Sequence, residues 1–292
     1  MLRSVASAGY EDIDDPPGAR ARGPAQPAVL RAIEVIQERF SEPITLSGLA
    51  SEVFVSPFHF SRIFAKATGV TPGRFLTAVR LFEAKRLLLT TSLTVSDIVC
   101  NVGYSSVGTF TSRFSRAVGM TPTQYREPEV AQLLVAVSPH FQRLPPLPAL
   151  RAAGRSCGTL TGGTGALELR LALPHGSGNT DVLVGVFADA VPQCGPVAFA
   201  GLSDTRSGEL TITNVPEGEW TVIAVAEHQQ GAAFSVGAAP VRMSPFGRAF
   251  LPMQLRAPAP TDPPIAITLA SKESPFAHRM FAAQRPPLRA VA

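Results

Sequence analysis

Charge and sulfur are both scarce in this chain. Only 16% of its 292 residues are charged, and three are cysteines. Cys100, Cys157 and Cys194 are odd in number, far apart and free of any CxxC or Cys/His cluster. That excludes a disulfide framework and a structural zinc site, and leaves buried free thiols as the reading. No apolar run approaches the roughly 18 to 20 residues that span a bilayer, so no membrane partner is expected. The opening stretch, MLRSVASAGYEDIDDPPGARARGPAQP, is acidic early and lacks an apolar core of the signal-peptide kind, which makes a cytoplasmic protein the expectation. Catalytic patterns are missing too. The chain has no phosphate loop and no paired catalytic carboxylates, and Ser203, Asp204, Asp181, His175 and His228 form no nucleophile or metal constellation. An enzyme is not expected, nor is a cofactor or a metal.

What the chain does have is enough apolar residue, 45%, for more than one core at this length. Its net charge of +4 is unevenly placed. Residues 28–127 hold 11 Lys/Arg against 7 Asp/Glu, a balance of +4, whereas residues 155–272 hold 7 against 9, a balance of −2. The first block is therefore the one suited to a polyanion.

The organisation follows from period and punctuation. Residues 1–27 are rich in Pro, Gly, Ala and Arg and read as a disordered arm. From VLRAIEVIQERF onward a 3.6-residue period predicts helices to about Tyr125. Residues 128–154 carry five prolines around a short apolar piece, EVAQLLVAV, and read as a linker. Over 155–272 the period becomes two, in ALELRLAL, DVLVGVFA, PVAFAGL, ELTITNV and EWTVIAVAE, which predicts an all-β sandwich. Residues 273–292 read as a flexible tail. The expected class is a multidomain protein, α then β.

The helical block contains itself twice. ATGVTP at 67–72 matches AVGMTP at 117–122, and Phe60 and Phe64 fall on Phe110 and Phe114 at the same offset. Each copy reads as a short helix, a tight turn and a second helix. Thr45 caps the first helix, Ser56 caps the second ahead of Pro57, and Gly69 closes it in a left-handed turn. Ser105 or Ser106 and Gly119 serve the second copy. The connector of about 18 residues between the copies spans about 27 Å at 1.5 Å per residue, near the ~34 Å repeat of major-groove faces.

In SPFHFSRIFAKA, residues 56–67, Phe60, Ile63, Phe64 and Ala67 form the core stripe and Phe58, Ser61, Arg62 and Ala65 the opposite face. Small residues admit base edges, Arg62 offers the fork that pairs with guanine, and Phe58 can meet a thymine methyl. Lys66, Arg74, Arg80 and Lys85 are available for phosphates, which fix register and not sequence. His59, beside the stripe, is assigned to packing or a backbone hydrogen bond.

The run LA…VSPFHFSRIFAKATGVTP, RLFEAKRLL and GYSS…GMTPTQYR resembles the DNA-binding domain of AraC/XylS-type transcription regulators over residues 28–127. The resemblance implies an all-α, seven-helix domain with two helix–turn–helix units that binds promoter DNA. It implies base contacts from Phe58, Ser61, Arg62, Val107, Gly108, Thr109 and Ser112. Phosphate contacts fall to Thr45, Ser56, Lys66, Arg74, Ser106, Arg113 and Arg116. RNA polymerase and a small-molecule effector are the further partners the family offers, with no effector residue specified. Two departures stand out: Phe54 occupies the first turn where a small residue is usual, and Ser112 stands where a long polar side chain is usual. The first unit is therefore expected to specify sequence and the second to grip backbone through Arg113 and Arg116. A DNA-repair methyltransferase with a similar domain would need a reactive cysteine motif, and Cys157 and Cys194 supply none.

LTITNVPEGEWTVIAVAE resembles the strand–PxG-aromatic–strand hairpin of carboxypeptidase-regulatory-like sandwiches, which implies a prealbumin-like, non-catalytic fold with Trp220 in its core. Such a module suits effector sensing or, alternatively, dimerisation or protein-partner contact.

Overall fold

Helices occupy the chain up to residue 132 and strands take over from 134 in the computed structural model, which describes residues 27–138, 140–146, 163–174, 178–205, 208–229 and 233–270. Residues 1–26 of the expected arm, 147–154 of the expected linker, Cys157 and the tail from 273 lie outside the described residues.

Seven helices make the first block: α1 (Pro27–Arg39), α2 (Leu46–Glu52), α3 (Pro57–Thr68), α4 (Pro72–Thr90), α5 (Val95–Asn101), α6 (Val107–Val118) and α7 (Pro122–Tyr125). Their ends follow local chemistry. Thr45, Ser56, Thr71, Thr94, Ser106 and Thr121 each accept an N–H from the first turn of the helix they precede. Gly69 (φ 81°) and Gly119 (φ 85°) close α3 and α6 in the left-handed region. The duplication extends to the cores. Phe60 packs edge-on to Phe64 and Phe64 to Phe75, both at 5.5 Å, while Phe110 meets Phe114 at 5.5 Å and Phe114 meets Tyr125 at 5.6 Å. Helix α4 runs between the two clusters. It buries Phe75, Val79, Leu81, Phe82, Ala84, Lys85 and Leu88, while Leu76 is only half-buried. A helix covered on so many sides is a strut inside the molecule rather than a surface helix.

The strands form three sheets. In chain order they are β1 (Leu134–Val137), β2 (Gln142–Arg143), β3 (Gly165–Ala172), β4 (Thr180–Phe187), β5 (Ala198–Thr205), β6 (Gly208–Val215), β7 (Gly218–His228), β8 (Ala233–Met243), β9 (Arg248–Gln254) and β10 (Ile265–Thr268). The sheets are ordered β6-β3-β9, β5-β4-β7-β8 and β10-β1-β2, antiparallel except for the β3–β9 pair. Alternation along each strand decides the layering. Val182, Val184 and Val186 of β4, with Trp220, Val222 and Ala224 of β7, face β6-β3-β9 and make the sandwich core. Leu183, Phe187, Ile223 and Val225 point the other way and pack on Val135, Val137 and Ile267 of the third sheet. Leu134, Ala136 and Ala266 of that sheet then enter the helical core beside Leu81, Leu88 and Tyr125. The molecule is stacked as sheet, sheet, sheet and helices.

Two expectations change here. The stretch read as a linker supplies a helix, α8 (Pro128–Gln132), and β1, whose partner β10 lies at the far end of the β region, Leu134 opposite Thr268. LLVAV is apolar throughout because its strand is covered on both faces. Second, LTITNV and EWTVIAVAE are not a paired hairpin. β6 belongs to one sheet and β7 to another, and the chain arches across at Pro216 and Glu217. There Trp220 donates its indole N–H to the Pro216 carbonyl at 2.9 Å, and Gly218 takes φ 138°.

Candidate nucleic-acid interface

Both α3 and α6 present their first turns outward from a serine cap. Ser56 Oγ accepts the His59 N–H at 3.4 Å, and Ser106 Oγ accepts the Thr109 N–H at 3.3 Å. Ser106, not Ser105, is thus the second cap. Thr45 Oγ1 accepts the Gly48 N–H at 3.0 Å. These hydroxyls are exposed, and each keeps its own proton to donate to a phosphate oxygen while its oxygen holds the helix end.

On α3 the core stripe is closed, with Phe60 and Phe64 fully buried, and the opposite face stands open. Phe58 is 75% exposed, and the Arg62 guanidinium lies over its ring at 5.9 Å. The stack holds a five-donor fork over an aromatic plate, a less mobile arrangement than an arginine in open water. Ser61 and Ala65 flank it half-buried, and His59 is exposed rather than packed. On α6, Val107, Gly108, Thr109 and Ser112 are all exposed, and none carries a long side chain. A Cβ added at Gly108 would meet only Ser106 Oγ, at 3.9 Å, so packing does not demand glycine there.

The two turns differ in length by one residue and at the position that takes positive φ. At offset 49, Phe54 corresponds to Gly103, and both take positive φ, 56° and 76°. Gly103 has no choice, because a Cβ there would lie 2.7 Å from the Ser41 carbonyl oxygen. Phe54 adopts the same region with its ring 96% exposed.

The cations expected at phosphates divide. Lys66 is exposed at the end of α3. Arg74 instead donates to Asp189 of the β region at 3.1 Å. Arg80 donates to the Phe40 and Glu42 carbonyls, both at 2.7 Å, and burial lowers its pKa. Lys85 is wholly buried and donates to Gln193 and to the Ala266 carbonyl. Arg80 and Lys85 are therefore structural, because carbonyl oxygens already occupy their donors. Arg113 and Arg116 are exposed on α6 at the mouth of a cleft shared with the β region. Asp189, Gln193 and Cys194, which complete that boundary, carried no sequence signal. Lys85 did carry one, since a lysine three residues after Phe82 falls on the apolar register of α4.

Residues 49–128 match the family model described as a helix-turn-helix domain. This stretch, from α2 to α7, is a helix–turn–helix domain. Among similar proteins, the bifunctional transcriptional activator/DNA repair enzyme AdaA of Bacillus subtilis is 34% identical over 94 residues, 32% of this chain and 44% of that protein. The lactose operon transcription activator of Staphylococcus xylosus is 30% identical over 98 residues, 34% of this chain and 35% of that protein. The chain thus spans less than half the length of these curated relatives. Among solved structures, the DNA-binding domain of AdpA in complex with a target DNA is 27% identical, with 34% of this chain and 89% of that one covered and a TM-score of 0.33. No helix among the described residues is long and apolar enough to cross a membrane.

Proposed function

We propose that this protein is a sequence-specific transcription regulator of promoter DNA, in which α3 and α6 read successive major-groove segments. The observation that carries the reading is the twofold occurrence of a serine-capped helix with a closed phenylalanine stripe behind and an open face in front, joined through the largely buried 19-residue strut α4. At 1.5 Å per residue that strut is about 28 Å long, comparable with the ~34 Å groove repeat. Base contacts are assigned to Phe58, Ser61, Arg62, Val107, Gly108, Thr109 and Ser112. Thr45, Ser56, Lys66 and Ser106 are assigned to phosphates. Arg113 and Arg116 reach either a phosphate or the cleft beside them, and Arg74 reaches a phosphate only by leaving Asp189.

The β region is read as a prealbumin-like, non-catalytic accessory module in a cytoplasmic protein, with effector sensing as its role and RNA polymerase as a further partner of the regulator. Its contact with α4 and with the cores of both helix–turn–helix units supports sensing, since a ligand at that boundary would be felt by the DNA-reading helices. A second reading, contact with a protein partner, is favoured by the exposed rings of Phe246 and Phe250, 81% and 58% accessible. Genome-wide mapping of bound sites followed by footprinting tests the proposal. Protected sites covering two successive groove faces are expected, and binding without sequence preference would refute it.

A further inference from the structure

The segment joining β4 to β5 leans on the helical block, with Val191 entering the core of the first helix–turn–helix unit. It encloses, together with α4 and α6, a cleft of about 370 Å³. That volume lies within the range of about 300–1,000 Å³ usual for small-molecule sites, and domain boundaries are where such sites concentrate.

The lining has a consistent chemistry. Arg113 and Arg116 stand on the α6 side, and neither makes an ion pair among the described residues. The carboxylate nearest to hand, Asp189, is engaged by Arg74 at 3.1 Å. Cys194 is kept a neutral thiol, because burial pushes its pKa up. Lys85 Nζ donates to the Gln193 main-chain oxygen at 2.9 Å and to its Oε1 at 3.0 Å. With its oxygen held, the amide nitrogen of Gln193 is left as a donor on the cleft wall. Leu81 and Phe187 supply apolar surface between the charged rim and the buried wall. Two cations, an amide donor and an apolar floor make a site complementary to one negative charge on a compact apolar body.

We propose that this inter-domain cleft binds a small amphipathic carboxylate, its charge on Arg113 and Arg116 and its apolar part against Leu81 and Phe187. Because both arginines belong to α6, an occupant ties the second recognition helix to the β region and withdraws two cations from the DNA backbone. The ligand binding stands on the cleft alone, and only its effect on DNA rests on the regulator reading.

The test titrates the full chain, without DNA, with 3-phenylpropionate and with its neutral amide, followed by heteronuclear NMR. Saturable binding of the carboxylate is expected, with the amide and an Arg113→Gln/Arg116→Gln double variant each weaker by about tenfold or more, the loss of at least one charge-assisted contact. Those arginines are exposed, so the variant should fold, and an unchanged melting temperature checks it. Thr77→Glu, which places a carboxylate on the α4 side of the cleft, should likewise weaken binding. No saturation, or equal affinity for acid and amide, or full affinity in the double variant, overturns the site. Duplex binding by the wild-type chain is measured separately. Carboxylate binding without duplex binding sustains the cleft and refutes the regulator, whereas duplex binding without carboxylate binding does the reverse. With both present, saturating carboxylate should weaken duplex binding by the wild type and not by the double variant. Unchanged duplex affinity would remove the coupling half of the proposal.

Discussion

Lys85 and Gln193 join the two halves of the molecule. The ammonium of the connector helix donates to the main-chain and side-chain oxygens of Gln193, and to the Ala266 carbonyl. Among the described residues no carboxylate is involved, so the contact depends on three carbonyl dipoles facing one buried donor. Tyr125 lies beside it, with Nζ 5.9 Å from the ring centroid.

That burial makes stability depend on pH. Desolvation lowers the Lys85 pKa from 10.5 to about 7, with Cys194 opposing the shift. Between those values the unfolded chain holds the proton and the folded chain releases it, so stability rises with pH. One proton corresponds to a slope of at most about 1.4 kcal/mol per pH unit. Denaturant unfolding between about pH 7 and 8, below the ordinary thiol range in which the raised thiol of Cys194 acts in the opposite sense, should show the rise. Lys85→Met should flatten it. A slope unchanged in that variant would assign the effect to another group.

Arg62 is expected to dominate discrimination. Arg62→Ala removes the fork stacked on Phe58 and should cost about 1–3 kcal/mol in binding, with relaxed preference at one base position. Ser112→Ala, at the corresponding position of α6, should cost less, because it removes one short hydroxyl. Competition binding with single-base operator variants decides the comparison. Equal losses of discrimination would refute the asymmetry between the two units.

Lys66 should act without regard to sequence. It is exposed in the last turn of α3, one turn beyond Arg62. Lys66→Ala should weaken specific and nonspecific duplexes alike and reduce the salt slope by about one. A loss confined to the specific site would move Lys66 among the base readers.

The turns offer a stability test independent of DNA. Phe54 occupies the left-handed region with its ring in solvent, a conformation that costs a non-glycine residue on the order of 1–2 kcal/mol. Phe54→Asn should raise stability by about 1 kcal/mol, since asparagine tolerates that region. Gly103→Ala should lower it by about 2 kcal/mol or more, because the new Cβ meets the Ser41 carbonyl at 2.7 Å. Thermal unfolding of both variants checks the pair. A destabilised Phe54→Asn protein would mean that the exposed ring contributes something the turn geometry does not reveal.

The doubled helical unit was legible because everything that makes it is local. Serine caps, left-handed glycines and a phenylalanine every fourth position act within a turn or two of helix, and their recurrence fifty residues on reports the duplication directly. The same holds for the outward face of α3, where the core stripe leaves Arg62 and Phe58 no other direction. Strand existence was legible from period two, but the partners of strands were not. β6 and β7 lie adjacent in sequence and separate into two sheets, while β1 pairs with β10 across more than a hundred residues. Alternation states that a face is buried and is silent on what buries it.

The sequence by itself determined where helices begin and end, which face of each is closed, and which short stretch carries the residues suited to a groove. Only the tertiary structure decided that the β region rests on the connector helix, that Arg74 turns to Asp189, that Arg80 and Lys85 are satisfied by carbonyls, and that Arg113 and Arg116 border a cleft. The reason is physical. Capping and periodicity act over a few ångströms along the chain, whereas the fate of a cation depends on which distant backbone oxygens the packing of whole layers brings within about 3 Å of it.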